Sequence, residues 1–182
     1  MLPRSLNSSQ QSSQASSVQS PFRAAQQPGS KKHLLMSRKI SLIIIHCSAT
    51  RSNQRFTVAM LKKCHDARFH GKGIAYHYYI EKDGQVYQTR DEEEIGMHAR
   101  HYNAHSIGIC YEGGLDENGV DKDTRTPEQR AALIALLRAL KEDYPDAEIM
   151  GHCELEGVHK ACPCFSCKEY RDYFDQLAAS DH

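Results

Sequence analysis

Residues 41–50 read SLIIIHCSAT, a run of β-branched and apolar side chains that leads directly into a histidine. A short continuous apolar run of this kind is typical of a strand that is buried on both faces of a sheet. The sequence therefore predicts a buried strand over Ser41–Ile45, with His46 at its carboxyl end. The backbone of such a strand is rigid, which suits the position after it to a side chain that must be held in place.

Three helices are predicted around this strand. Thr57 has the side chain of an N-cap for a helix from Val58 towards Phe69. The run Thr126-Pro127-Glu128-Gln129 is typical of a helix start with an N-cap, a first-turn proline and an acidic first turn. That second helix is predicted to continue to about Asp143, with leucines 133, 136, 137 and 140 on one face, and the third covers Lys168–Leu177.

Further strands alternate with these helices. They are predicted over Ile74–Ile80, Val86–Thr89, Ser106–Tyr111 and Ala147–Met150. The turn residues of 82–85 join the first two of these as a hairpin, which excludes a purely parallel sheet. The prediction is an α/β fold in one domain, with a mixed central β-sheet flanked by helices.

The composition of the chain limits the classes of partner that it is expected to bind. Its 182 residues carry 23 Lys and Arg against 23 Asp and Glu, a formal net charge of +0, so bulk charge does not favour nucleic acid or an anionic membrane. No apolar run approaches the roughly 20 residues of a membrane helix, and no signal-peptide pattern opens the chain. We therefore expect no nucleic-acid or membrane partner, synthesis in the cytoplasm, and a monomer.

The chain has two compositional parts. Residues 1–35 are rich in Ser and Gln with few large apolar side chains, a composition that cannot offset the entropy of ordering. We predict that this segment is disordered and that residues 36–182 form the folded domain. Met36 stands just before the first strand and is a candidate translation start, in which case the segment before it is not translated.

Three possible zinc ligands lie at or near predicted strand ends. His46 follows the first strand, His152 follows the strand over Ala147–Met150, and Cys162 lies in the next loop. Imidazole and thiolate both bind zinc well, and three protein ligands leave a fourth position for water. The spacing alone is a weak signal, because a histidine after a strand is more often a capping or surface residue.

A competing metal site uses the C-terminal cysteines. Cys162, Cys164 and Cys167 are closely spaced, and Cys153 lies upstream, so four thiols could form a structural zinc knuckle. No clean second pair of ligands accompanies them. The chain has seven cysteines, and an odd number without a signal peptide favours reduced thiols.

Several stretches resemble the type 2 N-acetylmuramoyl-L-alanine amidases, a family that includes amidase-type phage lysozymes and peptidoglycan recognition proteins. They are HCSAT at His46–Thr50, AYHYYIEKDG at Ala75–Gly84, RDEEEIGMHARHYNAHSIGIC at Arg90–Cys110, and GHCE with KACP within Gly151–Pro163. The likeness runs from about Lys39 to Tyr173. It implies an enzyme, such as a prophage endolysin, that binds peptidoglycan and cuts the amide bond between N-acetylmuramic acid and L-alanine with one zinc per chain.

The resemblance also assigns residues. Matched by motif, the family's zinc ligands are His46, His152 and Cys162. Its two supporting catalytic positions fall on Tyr76 and Lys160.

Two further positions are assigned to the substrate groove. His98 and Asn103 lie in the HA-x-x-YN stretch that borders the groove in the family. Stabilisation of a turn by these polar side chains is an open alternative. Cys164 and Cys167 depart from the family pattern, and whether they bind metal or become oxidised is also open.

Two functions of other classes are also compatible with the sequence. One is a module that binds muropeptides without cutting them, against which Cys162 argues because non-catalytic relatives typically lack that ligand. The other is an interaction protein stabilised by zinc on the C-terminal cysteines.

Overall fold

The computed structural model describes residues 38–180. The Ser- and Gln-rich segment of residues 1–35 lies outside this range, so its disorder stays a prediction. Within the described range, no helix is long and apolar enough to cross a bilayer.

The described chain is an alternation of strands and helices. In chain order the elements are β1 (Leu42–Cys47), β2 (Thr50–Arg51), α1 (Val58–Arg68), β3 (Tyr78–Ile80), β4 (Val86–Gln88), β5 (Ser106–Tyr111), β6 (Gly114–Leu115), α2 (Pro127–Asp143), β7 (Glu148–Gly151) and α3 (Lys168–Ser180), with short 3₁₀ helices at Asn103–His105 and His152–Glu154. Five strands form the main sheet in the order β4-β3-β5-β1-β7. All neighbours are parallel except β3 and β4, which form the predicted hairpin. The mixed central sheet with flanking helices is confirmed.

Strand β1 is an interior strand of the sheet, between β5 and β7, and its two faces meet different partners. Ile43 and Ile45 pack into a core cluster with the leucines of α2. Ile44 belongs to a separate cluster with Ala99 and Leu155. Because side chains alternate along a strand, His46 lies on the same face as Ile44.

The predicted helix starts are observed in atomic detail. Thr57 caps α1 by accepting a hydrogen bond from the amide of Met60. Thr126 forms a reciprocal capping box with Gln129 at the start of α2. These caps satisfy amide groups that the first turn of a helix leaves without intrahelical partners.

The predicted strand over Ile74–Ile80 is wrong in its first half, since β3 begins only at Tyr78. Side chains replace strand partners here: His65, from α1, binds a backbone amide of this segment, and His77, from the segment itself, binds a backbone amide of β5. His65 Nδ1 accepts from the amide of Ala75 at 3.0 Å, and His77 Nδ1 accepts from the amide of Gly108 at 2.9 Å. The resulting bend carries Tyr76 to the end of β1.

Candidate metal centre and active site

The possible ligands meet at the carboxyl edge of the sheet. His46 is the second-to-last residue of β1, and His152 follows β7 directly. These strands are parallel neighbours, so they end at the same edge. Cys162 reaches the edge from the loop before α3. The ligand atoms of these three residues all lie within 4.8 Å of one another, and this is the metal-capable group found among residues 38–180.

The chemistry and spacing of this group fit zinc. Zinc binds imidazole nitrogen and thiolate sulfur at about 2.0–2.3 Å in a tetrahedral arrangement, which places neighbouring ligand atoms roughly 3.5 Å apart. His46 Nδ1 lies 3.7 Å from Cys162 Sγ. The group contains no carboxylate, and a nitrogen and sulfur donor set is poorly suited to magnesium or calcium.

His46 is fixed by a second histidine behind it. Its side chain is buried, and its Nε2 lies 3.0 Å from Nδ1 of His98. Burial, followed by the charges of His98 and His152, holds the pKa of His46 well below its usual range. A neutral His46 that donates from Nε2 to His98 leaves the lone pair of Nδ1 pointing towards Cys162, as a metal ligand requires.

His98 is itself held neutral. Burial lowers the pKa of His98 to about 3. If its Nδ1 accepts from His46, its Nε2 carries the proton and faces Ser106 Oγ at 3.4 Å. Because Ser106 begins the neighbouring strand β5, the orientation of His46 is tied to the central sheet.

His152 is positioned by an ion pair that the sequence analysis did not assign. Glu154 accepts from the amide of Gly151 at 2.7 Å and receives two hydrogen bonds from Arg171 of α3 at 2.9 and 3.0 Å. These contacts fix the short 3₁₀ helix that starts at His152. The His46 and His152 rings are 4.5 Å apart between centroids.

Cys162 is held by backbone groups. The amide of Cys47 donates to Cys162 Sγ at 3.3 Å. The amide of Cys153 donates to the Cys162 carbonyl at 2.7 Å. These two contacts fix Cys162 beside the histidines.

Tyr76 and Lys160 both lie beside the histidines. The Tyr76 ring centroid is 5.1 Å from that of His46. Burial, with the thiols of Cys110 and Cys162 as neighbours, raises the pKa of Tyr76 well above its usual range, so its hydroxyl remains protonated. The exposed Lys160 contributes to lowering the pKa of both His46 and His152, which places its positive charge on their side of the site.

The two positions assigned to the substrate groove have local partners. Asn103 Oδ1 accepts from the amides of His98 and Ala99 at 2.9 and 2.8 Å. Asn103 thus stabilises the turn that presents His98, and His98 supports His46. Contact of either residue with substrate stays a prediction.

The C-terminal cysteines do not converge on one site. Cys167 is fully buried in the main core. Cys164 lies beside Cys47, with 3.8 Å between the sulfur atoms. Cys162 joins the two histidines, so the thiols proposed for a zinc knuckle have separate environments.

Comparison with known proteins agrees with this geometry. The family model described as N-acetylmuramoyl-L-alanine amidase matches residues 36–165. The chain belongs to this amidase family. The match spans all three possible zinc ligands together with Tyr76 and Lys160.

Relatives of this amidase cover most of its length. The endolysin of Klebsiella phage KP32 is 35% identical over 145 residues, which cover 80% of this chain and 93% of the relative. The endolysin of Escherichia phage T7 is 37% identical over 139 residues, covering 76% and 89%. Among solved structures, the N-acetylmuramoyl-L-alanine amidase LysC from Clostridium intestinale URNW superimposes with a TM-score of 0.64 at 30% identity, over 76% of this chain and 87% of that one.

Proposed function

We propose that this amidase hydrolyses the bond between N-acetylmuramic acid and L-alanine in peptidoglycan, using one zinc ion bound by His46, His152 and Cys162. The observation that carries the proposal is the approach of these three ligand atoms to within 4.8 Å of one another at one sheet edge. The relatives named as endolysins support a cell-wall substrate.

Zinc bound there would polarise the scissile carbonyl and activate water as the nucleophile. The three protein ligands leave a fourth position for that water and the substrate. His98 fixes the ring of His46 through its 3.0 Å contact, and the Glu154–Arg171 pair fixes the turn of His152. These partners keep the ligands in place without ordering them anew at each turnover.

Lys160 and Tyr76 have different tasks in this proposal. The Lys160 ammonium supplies positive charge for the oxygen that becomes negative when the amide carbon is attacked. Tyr76 keeps its proton, so it acts as a hydrogen-bond donor and not as a base. Both groups stabilise and orient, and stabilisation of developing charge by fixed donors is commonly a large contribution to catalysis.

Digestion of purified peptidoglycan, followed by mass analysis, tests the reaction. We expect stem peptides with a free L-alanine amino group and glycan strands that retain the lactyl carboxylate. New reducing sugar ends would identify a glycosidase. Binding of peptidoglycan with no released peptide would identify a recognition module, the main alternative function.

Some finer properties belong to the same proposal. We infer that the enzyme is made in the cytoplasm, reaches the wall after release or delivery, and works as a monomer without nucleic-acid or membrane partners. Gel filtration with light scattering and fractionation of the producing cells test these points.

The Ser- and Gln-rich segment is proposed to add nothing to the folded domain, residues 36–182. A chain that starts at Met36 should keep the melting temperature and specific activity of the full chain, because the removed residues offer few apolar side chains for burial. A substantial loss of either property would show that the segment contributes to the domain.

A further inference from the structure

Two thiols outside the metal-binding group lie next to each other. Cys47 ends β1, directly after His46, and Cys164 lies two residues beyond Cys162. Their sulfur atoms are 3.8 Å apart. Since a disulfide has sulfurs about 2.05 Å apart, a shift of roughly 2 Å would close the bond. Such a bond would join the two chain segments that carry His46 and Cys162.

A glycine leaves the space in which these sulfurs meet. A Cβ added at Gly114 would lie 2.5 Å from Cys47 Sγ and 3.6 Å from Cys164 Sγ. Gly114 also has a φ of +102°, a conformation that favours glycine. A larger residue here would push Cys47 out of its present position.

The two thiols differ in access to solvent. Cys47 is buried, with 6% of its surface exposed, whereas Cys164 is half-buried. A dissolved oxidant therefore reaches Cys164 more readily than Cys47. Cys164 is therefore the thiol that meets the oxidant, and Cys47 the thiol that completes the bond.

We propose that Cys47 and Cys164 form a reversible disulfide pair, oxidised by a low-molecular-weight disulfide such as glutathione disulfide. The Cys164 sulfur attacks one sulfur of the oxidant and forms a mixed disulfide, which releases one thiol. The Cys47 sulfur then attacks Cys164 Sγ, forms the protein disulfide and releases the second thiol. Each released thiol carries the proton lost by the attacking cysteine. The proposal stands on the geometry of the two thiols, and only the zinc readout of its test rests on the proposed function.

The new bond would tie the end of β1 to the loop that carries Cys162. A cross-link between residues so distant in the chain restricts the unfolded state strongly. Provided that the fold accepts the bond without strain, we expect the melting temperature to rise by roughly 5–10 °C.

The test uses the full chain loaded with zinc and incubated with glutathione disulfide until the thiol count is constant. Alkylation, proteolysis and mass analysis then map the cross-links. We expect a peptide that joins Cys47 to Cys164, an unchanged zinc content, a raised melting temperature, and reversal of these changes by dithiothreitol.

Two variants make the result specific. Cys64→Ser removes an exposed thiol of α1 and should give the same cross-link and the same thermal shift. Cys164→Ala should give neither. The proposal is overturned if the wild-type chain yields only a mixed disulfide on Cys164, or a cross-link that contains Cys162 with loss of zinc. An unchanged or lowered melting temperature after cross-linking would overturn the expected tie between β1 and the loop.

Discussion

The site has a strand-borne side and a loop-borne side that differ in burial. His46 is 2% exposed, lies on the interior strand β1 and has His98 behind it. Cys162 is half-buried and Lys160 exposed, and both lie in the segment between β7 and α3. The proposed reaction thus depends on His46, which is part of the buried core, and on Cys162 and Lys160, which contribute little to that core. Substitutions on the two sides should therefore affect stability and activity in different proportions.

The largest effect is expected from removal of a ligand on either side. Cys162→Ser and His46→Ala should each lose bound zinc and bring peptidoglycan hydrolysis to background, because a hydroxyl or a methyl group is a poor substitute for either ligand. Zinc content after gel filtration and the rate of peptide release measure both losses.

Stability of the metal-free proteins should separate these two variants. His46→Ala leaves a cavity and removes the hydrogen-bond partner of His98, which should cost about 1–3 kcal/mol of unfolding free energy. Cys162→Ser should change it by less than about 1 kcal/mol. Denaturant titration of both metal-free variants measures the difference. Equal losses of unfolding free energy would show that the two sides of the site contribute equally to stability.

Lys160 should affect turnover alone. Lys160→Ala is expected to lower kcat by roughly 10²–10³-fold, the usual effect of losing one fixed donor to a developing oxyanion. Zinc content and melting temperature should be unchanged because the side chain is exposed. Lys39→Ala, an exposed lysine before the amino end of β1, serves as the matched control. A raised KM with an unchanged kcat would instead assign Lys160 to substrate binding.

His98 should act through His46. Loss of a partner that orients a metal ligand typically weakens metal binding about 10–100-fold, so His98→Ala should raise the zinc dissociation constant by that factor. Competition with a chelating dye measures it. His105→Ala, in the nearby 3₁₀ helix, is the control and should leave zinc affinity unchanged. Wild-type zinc affinity in His98→Ala, with a raised KM, would favour a direct substrate role.

Acid should destabilise the buried region next to the strand-borne side, where the His77 ring centroid lies 5.7 Å from that of His98. Burial lowers the pKa of His77 to about 4, against about 6.5 in an unfolded chain. The unfolded state then binds more protons between these values, so the stability from neutral His77 is complete above pH 6.5 and declines as the pH falls towards 4. At pH 5 the decline amounts to about 2 kcal/mol.

A variant isolates this contribution. In His77→Gln the stability of the metal-free protein should fall less between pH 7 and pH 5 than in wild type, because glutamine does not titrate. Denaturant titration at the two pH values gives both differences. A fall of the same size in the variant would assign the acid sensitivity to other groups.

The sequence predicted those parts of the fold that depend on local pattern. The apolar run of β1 and the cap at Thr126 were sufficient to predict a strand and a helix start, because both signals depend only on residues that are adjacent in the chain. The bend before β3 was missed because its backbone hydrogen bonds end on His65 and Gly108, which come from other parts of the chain.

The site was also predicted only in part. The resemblance to the amidase motifs supplied the possible zinc ligands, but it did not supply the residues that hold those ligands in place. His98 reaches His46 only when β5 pairs with β1, and no sequence spacing reports that contact. Glu154 stands two residues after His152 in the GHCE motif, which could have drawn attention to it, although its partner Arg171 lies in α3. The approach of Cys47 to Cys164 likewise depends on the path of the loop.

X-ray absorption at the zinc edge of the loaded full chain identifies the ligands around zinc. We expect one zinc per chain, with one sulfur, two imidazole nitrogens and one further light atom in its coordination shell. A shell of three or four sulfurs would place zinc on the cysteines and rule out His46, His152 and Cys162 as its ligand set.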